Sequence, residues 1–185
     1  SPELLEARRA VSMLVSRDVS RLDKPALYRT LAESLSENFT DAFVAPFFWL
    51  LAGGPLGLWL YKCASTADSR WGYKHEPWRL RGWAGARLDD ALAYVPARLA
   101  ALFLYLGAGS GANPARGRRS DWPGWPQLRL EAGRTDSPNA GWSTAACAWL
   151  HGALMGRPAV YARTLTAQPV LGPPGLWDGK KIDEL

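Results

Sequence analysis

The hydrophobic positions of this chain fall into helical stripes separated by polar, Gly- and Pro-rich joints. Residues 3–16 place Leu4, Val11, Leu14 and Val15 on one face of an amphipathic helix that ends in a charged turn at Arg17 and Asp18. Asp23 and Pro25 then supply the cap region and the early proline of a second helix. Its apolar stripe is Leu27, Leu31, Leu35, Phe39 and Phe43, while Glu33, Glu37 and Asp41 repeat at i, i+4 on another side. Ala42–Tyr61 follows, 20 residues without a charge. A straight helix of that length covers about 30 Å, enough to span a bilayer core. Gly53, Gly54 and Pro55 sit in its middle, however, and this combination breaks a helix. The pattern predicts two apolar helices, roughly 42–52 and 56–66, meeting at a tight turn: a hairpin buried in the membrane or in the protein.

A polar stretch, 68–86, carries Trp71, Tyr73, Trp78 and Trp83. A long helix is predicted next, over about 86–106, kinked at Pro96. Its apolar seam is Leu88, Leu92, Val95, Leu99, Leu102 and Leu106. Residues 107–136, rich in Gly, Pro, Arg and Asp, read as a mobile loop. Ser137-Pro138-Asn139 opens an apolar helix that runs to Gly156, and no strand order or internal repeat emerges. The fold class expected is mainly α: a multi-helix integral membrane or membrane-associated bundle with a broken apolar hairpin and long polar loops. The whole of 1–185 reads as one domain, cut short at its N-terminus.

Composition narrows the chemistry. With two Cys and two His in 185 residues, a disulfide scaffold, a Cys-rich zinc site and a multi-histidine metal site are excluded. The formal charge of +5 is spread too evenly for a nucleic-acid stripe. Ten Trp beside apolar runs suit a membrane interface or a large apolar ligand. Walker A, Rossmann and nucleophile-elbow signatures are absent from the sequence.

Four groups of polar residues remain as candidates. Glu33, Glu37 and Asp41 present hard oxygens one turn apart, suited to Mg²⁺ carrying a phosphate or to a solvated face. Lys62 and Asp68 close the far side of the hairpin, where Lys62 fits a snorkelling lysine equally well. Arg87, Asp90, Tyr94 and Arg98 form one line on a helix, and guanidinium groups pair with planar oxyanions. Asp89 and Asp90 beside Arg87 also fit a local salt-bridge cluster. Ser137 and Asn139 stand at a helix start, as caps or as part of an anion site. His151, in an apolar helix, reads as a packed core histidine.

The order of several short motifs resembles the CobD/CbiB family of cobalamin-biosynthesis proteins. They are Arg17-Asp18; Ala32-Glu33-Ser34-Leu35-Ser36-Glu37-Asn38 with Thr40-Asp41; Tyr61-Lys62, Thr66 and Asp68-Ser69; Gly72-Tyr73-Lys74; Ala86-Arg87-Leu88-Asp89-Asp90; Tyr94-Val95-Pro96-Ala97-Arg98; and Ser137-Pro138-Asn139-Ala140-Gly141-Trp142. The similarity covers roughly 6–172, with departures at Ser16, Ala42, Ser65, Ala67 and Ala93. The resemblance implies synthesis of adenosylcobinamide phosphate. A carboxylate of the adenosylcobyric acid corrinoid is joined to the amine of aminopropanol phosphate or ethanolamine phosphate, with ATP and Mg²⁺. On that basis Glu33, Glu37 and Asp41 are expected to hold Mg²⁺. Asp68, Asp90 and Lys62 are expected in catalysis. Arg17, Lys74, Arg87, Arg98, Ser137 and Asn139 are expected to bind substrate and phosphates. The expected setting is the bacterial inner membrane, multi-pass. Two rival readings stand: an intramembrane Mg²⁺-dependent diphosphate transferase, and a non-enzymatic helical membrane scaffold or transporter fragment.

Overall fold

The computed structural model describes residues 2–15, 17–71, 82–108, 122–156, 159–161, 164–166 and 169–185. Lys74, Tyr73 and Trp78 lie outside the described residues, as do 109–121. Helix α1 (Pro2–Ser12) packs Val11 with Val19 and Leu27 in a satellite cluster. Helix α2 (Lys24–Asn38) starts as the sequence predicts. Asp23 Oδ1 accepts the Ala26 N–H at 2.9 Å, and Pro25 occupies a first-turn position whose N–H would have no helical partner. The helix then widens into a π-helical stretch, Phe39–Val44, where the Ala45 N–H reaches back five residues to Thr40 O. A π turn rotates the side chains that follow it out of α register, and such turns concentrate at functional sites.

Helix α3 (Ala45–Trp71) is the broken hairpin. Gly54 adopts φ 61°, ψ −157°, a region that glycine alone tolerates. The chain reverses there. The Tyr61 hydroxyl donates to Asp41 O at 3.2 Å, and a β-carbon placed on Gly57 would lie 2.5 Å from Trp49 O. Among the described residues, Lys24–Arg70 is the one helix long and apolar enough to cross a membrane by length and composition. The reversal at Gly54 folds its apolar part into two antiparallel arms.

Helices α4 (Trp83–Leu92) and α5 (Tyr94–Ala108) meet at a bend of 44°. The break falls about one turn before Pro96, where the sequence placed the kink. Proline lacks an N–H and its ring crowds the carbonyl four residues earlier, here Leu92 O. That carbonyl is taken instead by the Trp49 indole N–H at 3.0 Å, from the hairpin. The stretch expected to be a loop contains a helix, α6 (Trp125–Ala132), started by Pro126 and anchored by buried Leu128 and Ala132. Helix α7 (Ala140–Leu150) stops at Leu150 rather than Gly156. Strands β1 (Ala159–Tyr161) and β2 (Thr164–Thr166) pair antiparallel, Ala159 opposite Thr166, and α8 (Gly179–Asp183) follows.

Helix α7 runs through the core, buried along most of its length. Ala145 and Ala146 pack with Ala97 and Ala101 of α5, joined by Trp122, Leu128, Trp142, Leu150 and Leu171. Much of the leucine seam predicted over 86–106 faces outward instead: Leu88 of α4 is 52% exposed and Leu106 of α5 56%. Helix α2 buries Thr30, Glu33 and Ser36 beside Leu27 and Ala32, while Leu35 and, in the π stretch, Phe43 are exposed. Phe39, Phe43 and Phe47 stack outside as a column with centroids 5.9 and 6.3 Å apart. Small residues thus pack between the helices while large apolar residues lie outside. His151 is buried, its ring 5.4 Å from that of Trp177.

Candidate functional site

The carboxylate stripe divides into two roles. Glu33 is buried and fully engaged: it pairs with Arg17, lies 3.8 Å from Arg29, and accepts the Gly156 N–H at 2.7 Å. These bonds tie α2 to the segment after α7, so neither Glu33 nor Arg17 presents an uncommitted charge to a ligand. Glu37 and Asp41 open into a cleft. Protein surrounds Glu37 on most sides although solvent reaches it. Withdrawal from bulk water, then the Glu33 charge, push its carboxyl up to about 7, against the pull of Arg17. Asp41 rises to about 6 for the same first reason, opposed by Lys62.

An acidic chamber of about 150 Å³ lies between these residues and α4. Glu37, Thr40, Asp41, Asp89, Ser137 and Asn139 are among its lining. The π stretch brings Thr40 and Asp41 to it, and the bend after α4 brings Asp89. Burial lifts Asp89 to about 6, reinforced by Asp41, Asp68 and Asp90, with Lys62 lowering it. Lys62 thus acts on both Asp41 and Asp89 from the second arm of α3, its ammonium 6.0 Å from the Tyr61 ring centroid. Asp68 is half-buried and also raised, by burial and then by Asp90. Among the described residues no three His, Cys, Asp or Glu side chains stand close enough together to form a coordination shell by themselves.

One wall of the chamber is the turn before α7, and most of Ser137-Pro138-Asn139-Ala140-Gly141-Trp142 has a visible task. The Ser137 hydroxyl accepts the Asn139 N–H at 3.2 Å in the turn before the helix start, and lies 3.4 Å from Asp90 Oδ1. Asn139 clamps two elements, its amide donating to Asp90 O at 2.8 Å and its Oδ1 accepting from Arg98 at 2.9 Å. Arg98 also donates to Tyr94 O at 2.7 Å and Pro138 O at 3.3 Å. Its guanidinium is sandwiched between Tyr94 and Trp142, 3.5 and 4.8 Å from the ring centroids. A β-carbon on Gly141 would sit 2.3 Å from Ala132 O, so only glycine lets α7 start against the end of α6.

On the other side of this turn lies an open cleft of about 680 Å³ bounded by Arg87, Tyr94, Arg98, Arg129, Trp125 and Trp142. Thr135 and Asp136 line both this cleft and a pocket of about 230 Å³ that reaches Glu37. Arg87 lies 6.0 Å from the Trp83 ring, and the Trp125 and Trp142 rings stack at 5.2 Å. The fold thus brings Glu37, Asp41, Ser137 and Asn139 into the chamber lining, sets Lys62, Asp68 and Asp90 near enough to act on Asp89, and places Arg87 and Arg98 on the cleft. Arg17 and Glu33 lie behind them as a structural pair. Sequence reasoning missed Arg129 and Trp125, because their segment read as loop. It also missed Thr40, Asp89 and Ser143. The only signal for Ser143 was a hydroxyl pair, Ser143-Thr144, in an otherwise apolar helix.

A sequence profile described as CobD/Cbib protein matches residues 2–184. The chain belongs to the CobD/Cbib family. Relatives named Cobalamin biosynthesis protein CobD agree with the family profile. That of Stutzerimonas stutzeri is 42% identical over 170 residues, 92% of this chain and 52% of the relative. That of Rhizobium meliloti is 40% identical over 172 residues, 93% and 51% of the two chains. That of Rhodobacter capsulatus is 40% identical over 169 residues, 91% and 51%. The chain therefore spans about half the length of the curated relatives it matches. No solved structure matches it. The family read from the ordered motifs is borne out. Five of those motifs meet at one place: the acidic stripe, the hairpin base, the α4 acids, the α5 line and the turn before α7.

Proposed function

We propose that the full-length protein is a membrane-seated, ATP- and Mg²⁺-dependent synthetase of cobalamin biosynthesis. It joins the carboxylate of adenosylcobyric acid to the amine of an aminoalkyl phosphate, giving adenosylcobinamide phosphate. The observation that carries this reading is a shared wall: the turn Thr135–Asn139 separates a carboxylate chamber from an arginine-aromatic cleft. An amide does not form from a free carboxylate, whose leaving group would be oxide, so the carboxylate is first phosphorylated. That chemistry needs a cation holder and a phosphate holder side by side.

Glu37 and Asp41 fit a hard divalent cation that keeps water and phosphate among its ligands. Bound there, Mg²⁺ would neutralise charge as the phosphoryl group moves. Arg87 and Arg129 offer guanidinium groups to phosphate oxygens across the cleft. Arg98 holds the cleft's shape, and its stacked aromatics, with Trp125 and Trp142, suit a large flat ring system. Asp68 or Asp90 takes the proton that the amine must lose before attack. Lys62 balances the acids around it. The apolar hairpin dips into the bilayer from this side, which sets the site at a membrane surface, in the inner membrane of a bacterial cell.

The test is a reconstituted assay of the full-length protein with adenosylcobyric acid, ATP, Mg²⁺ and either aminopropanol phosphate or ethanolamine phosphate. The expected result is an amide product of the corresponding mass, formed with stoichiometric ADP and phosphate and abolished by chelation of Mg²⁺. Product without ATP consumption, or transfer of a diphosphate-linked group instead, would overturn it.

A further inference from the structure

The acidic chamber holds more unsatisfied groups than its carboxylates alone explain. Thr40, 3% exposed, and Ser143, 0% exposed, both border it, and the hydroxyl of each is buried without a hydrogen-bond partner. Asp89 Oδ1, on the opposite wall, is likewise buried and unpartnered. Buried polar groups are nearly always bonded, so three orphans around one cavity point to a missing occupant. The occupant is positive, because three carboxylates, Glu37, Asp41 and Asp89, face the same space and the Lys62 ammonium offsets only part of their charge. It must also carry donors, because carboxylates only accept hydrogen bonds, whereas hydroxyls and Asn139 can do either. A volume of about 150 Å³ has room for several waters. The carboxylates stand too far apart for an inner shell of three. A small ion that keeps most of its water meets all of these conditions, and Mg²⁺ dehydrates reluctantly and usually keeps several waters.

We infer that Asp89, Thr40 and Ser143 complete with Glu37 and Asp41 a binding site for a hydrated divalent cation, and that Glu33 is not part of it. The inference deepens the function proposed above and rests on it for the role of the ion, but not for the site. The acid contributed by α4 replaces the one that α2 spends on Arg17 and Gly156. Asp89 and Asp41 reach the water shell from opposite sides. The two hydroxyls accept or donate to those waters where no protein partner is present. Asn139 links the chamber to Arg98, so the ion's position is coupled mechanically to the cleft.

The experiment uses the purified full-length protein in detergent, titrated with Mn²⁺ and followed by the electron paramagnetic resonance signal of the free ion, with Mg²⁺ as competitor. One Mn²⁺ should bind and be displaced by Mg²⁺. Asp89→Asn should weaken binding at least tenfold, and Thr40→Val and Ser143→Ala severalfold each. Asp18→Asn, on the surface turn after α1, should leave it unchanged. Should Asp89→Asn fail to fold, the two hydroxyl variants decide. Wild-type affinity in the chamber variants overturns the inference. So does a wild-type protein that binds no Mn²⁺, or a site emptied by ethylammonium but not by Mg²⁺. Metal binding as expected with no amide product would leave the site standing and sink the synthetase reading, so the two failures are distinguishable.

Discussion

Arg98 is the most constrained charged side chain in the cleft. It makes bonds of 2.7, 2.9 and 3.3 Å to three acceptors while lying between two aromatic rings. Lysine keeps the charge but cannot reach three acceptors in one plane or stack as a flat group. Arg98→Lys should lower kcat/KM at least tenfold, on the order of 1.4 kcal/mol. Asn139→Ala should do much the same, and the double variant should lose little more than either single one, because both break one clamp. Steady-state kinetics of the three variants would check this, and additive losses would refute a shared role. The acids separate just as cleanly. Glu33→Gln removes the charge of a mostly buried ion pair with Arg17 and should cost about 3 kcal/mol, lowering Tm by on the order of 10 °C. Glu37→Gln, in the open chamber, should keep Tm but lose activity that high Mg²⁺ partly restores. Spacing alone made the three acids look equivalent. What divides them is a partner 123 residues away, Gly156, which no local pattern encodes. Asp89 was hidden for the converse reason: beside Arg87 it looked like half of a surface pair, whereas Arg87 lies over Trp83.

Elements were easier to read than faces. Asp23 and Pro25 announced α2, Gly54 the hairpin turn, and Ser137 the start of α7, because caps, breakers and prolines act through their own backbone. Helix α6 was lost because its eight residues hold too few repeats to show a period. The period of α5 was correct, yet the buried side is its alanine line, because close helix packing favours small residues over leucines. The bend before α5 offers a direct test of how such elements are held. Pro96 frees Leu92 O, and Trp49 occupies it. Trp49→Phe should therefore cost about 1–2 kcal/mol, leaving a carbonyl unsatisfied. In a Pro96→Ala background the restored N–H can bond Leu92 O, so the same substitution should cost clearly less. Thermal unfolding of the four proteins in one detergent measures both steps. Equal costs in the two backgrounds would show that Trp49 acts through packing alone.

At the scale of the molecule, charge and apolar surface are sorted to opposite ends of the hairpin. Its base carries Asp41, Lys62 and Asp68 beside the chamber, and its tip carries Leu51 and Leu56, 73% and 70% exposed, on either side of Gly54. In a protein surrounded by water, lysine at positions this open is nearly neutral, within about 0.5 kcal/mol. In hydrocarbon each lysine costs roughly 2.5–3.5 kcal/mol near the bilayer centre. The two environments thus predict opposite outcomes for Leu51→Lys/Leu56→Lys. If the tip dips into lipid, the double variant should lose most of its binding to phospholipid vesicles, up to about 5–7 kcal/mol at full depth. Its Tm in detergent and its Mn²⁺ binding should be retained, because neither the core nor the chamber is touched. Co-flotation with vesicles against a sucrose gradient reads the first quantity and thermal unfolding the second. Wild-type flotation by the double variant would mean that the tip meets protein or water. Flotation lost together with Tm would mean that the lysines broke the hairpin itself. The chamber sits at the base of the same hairpin, through Asp41 and Lys62, so if the tip enters lipid its depth sets the height of the site above the bilayer. Under the proposed function, that height would let a phosphorylated substrate enter from water while the outer leucines and phenylalanines met lipid.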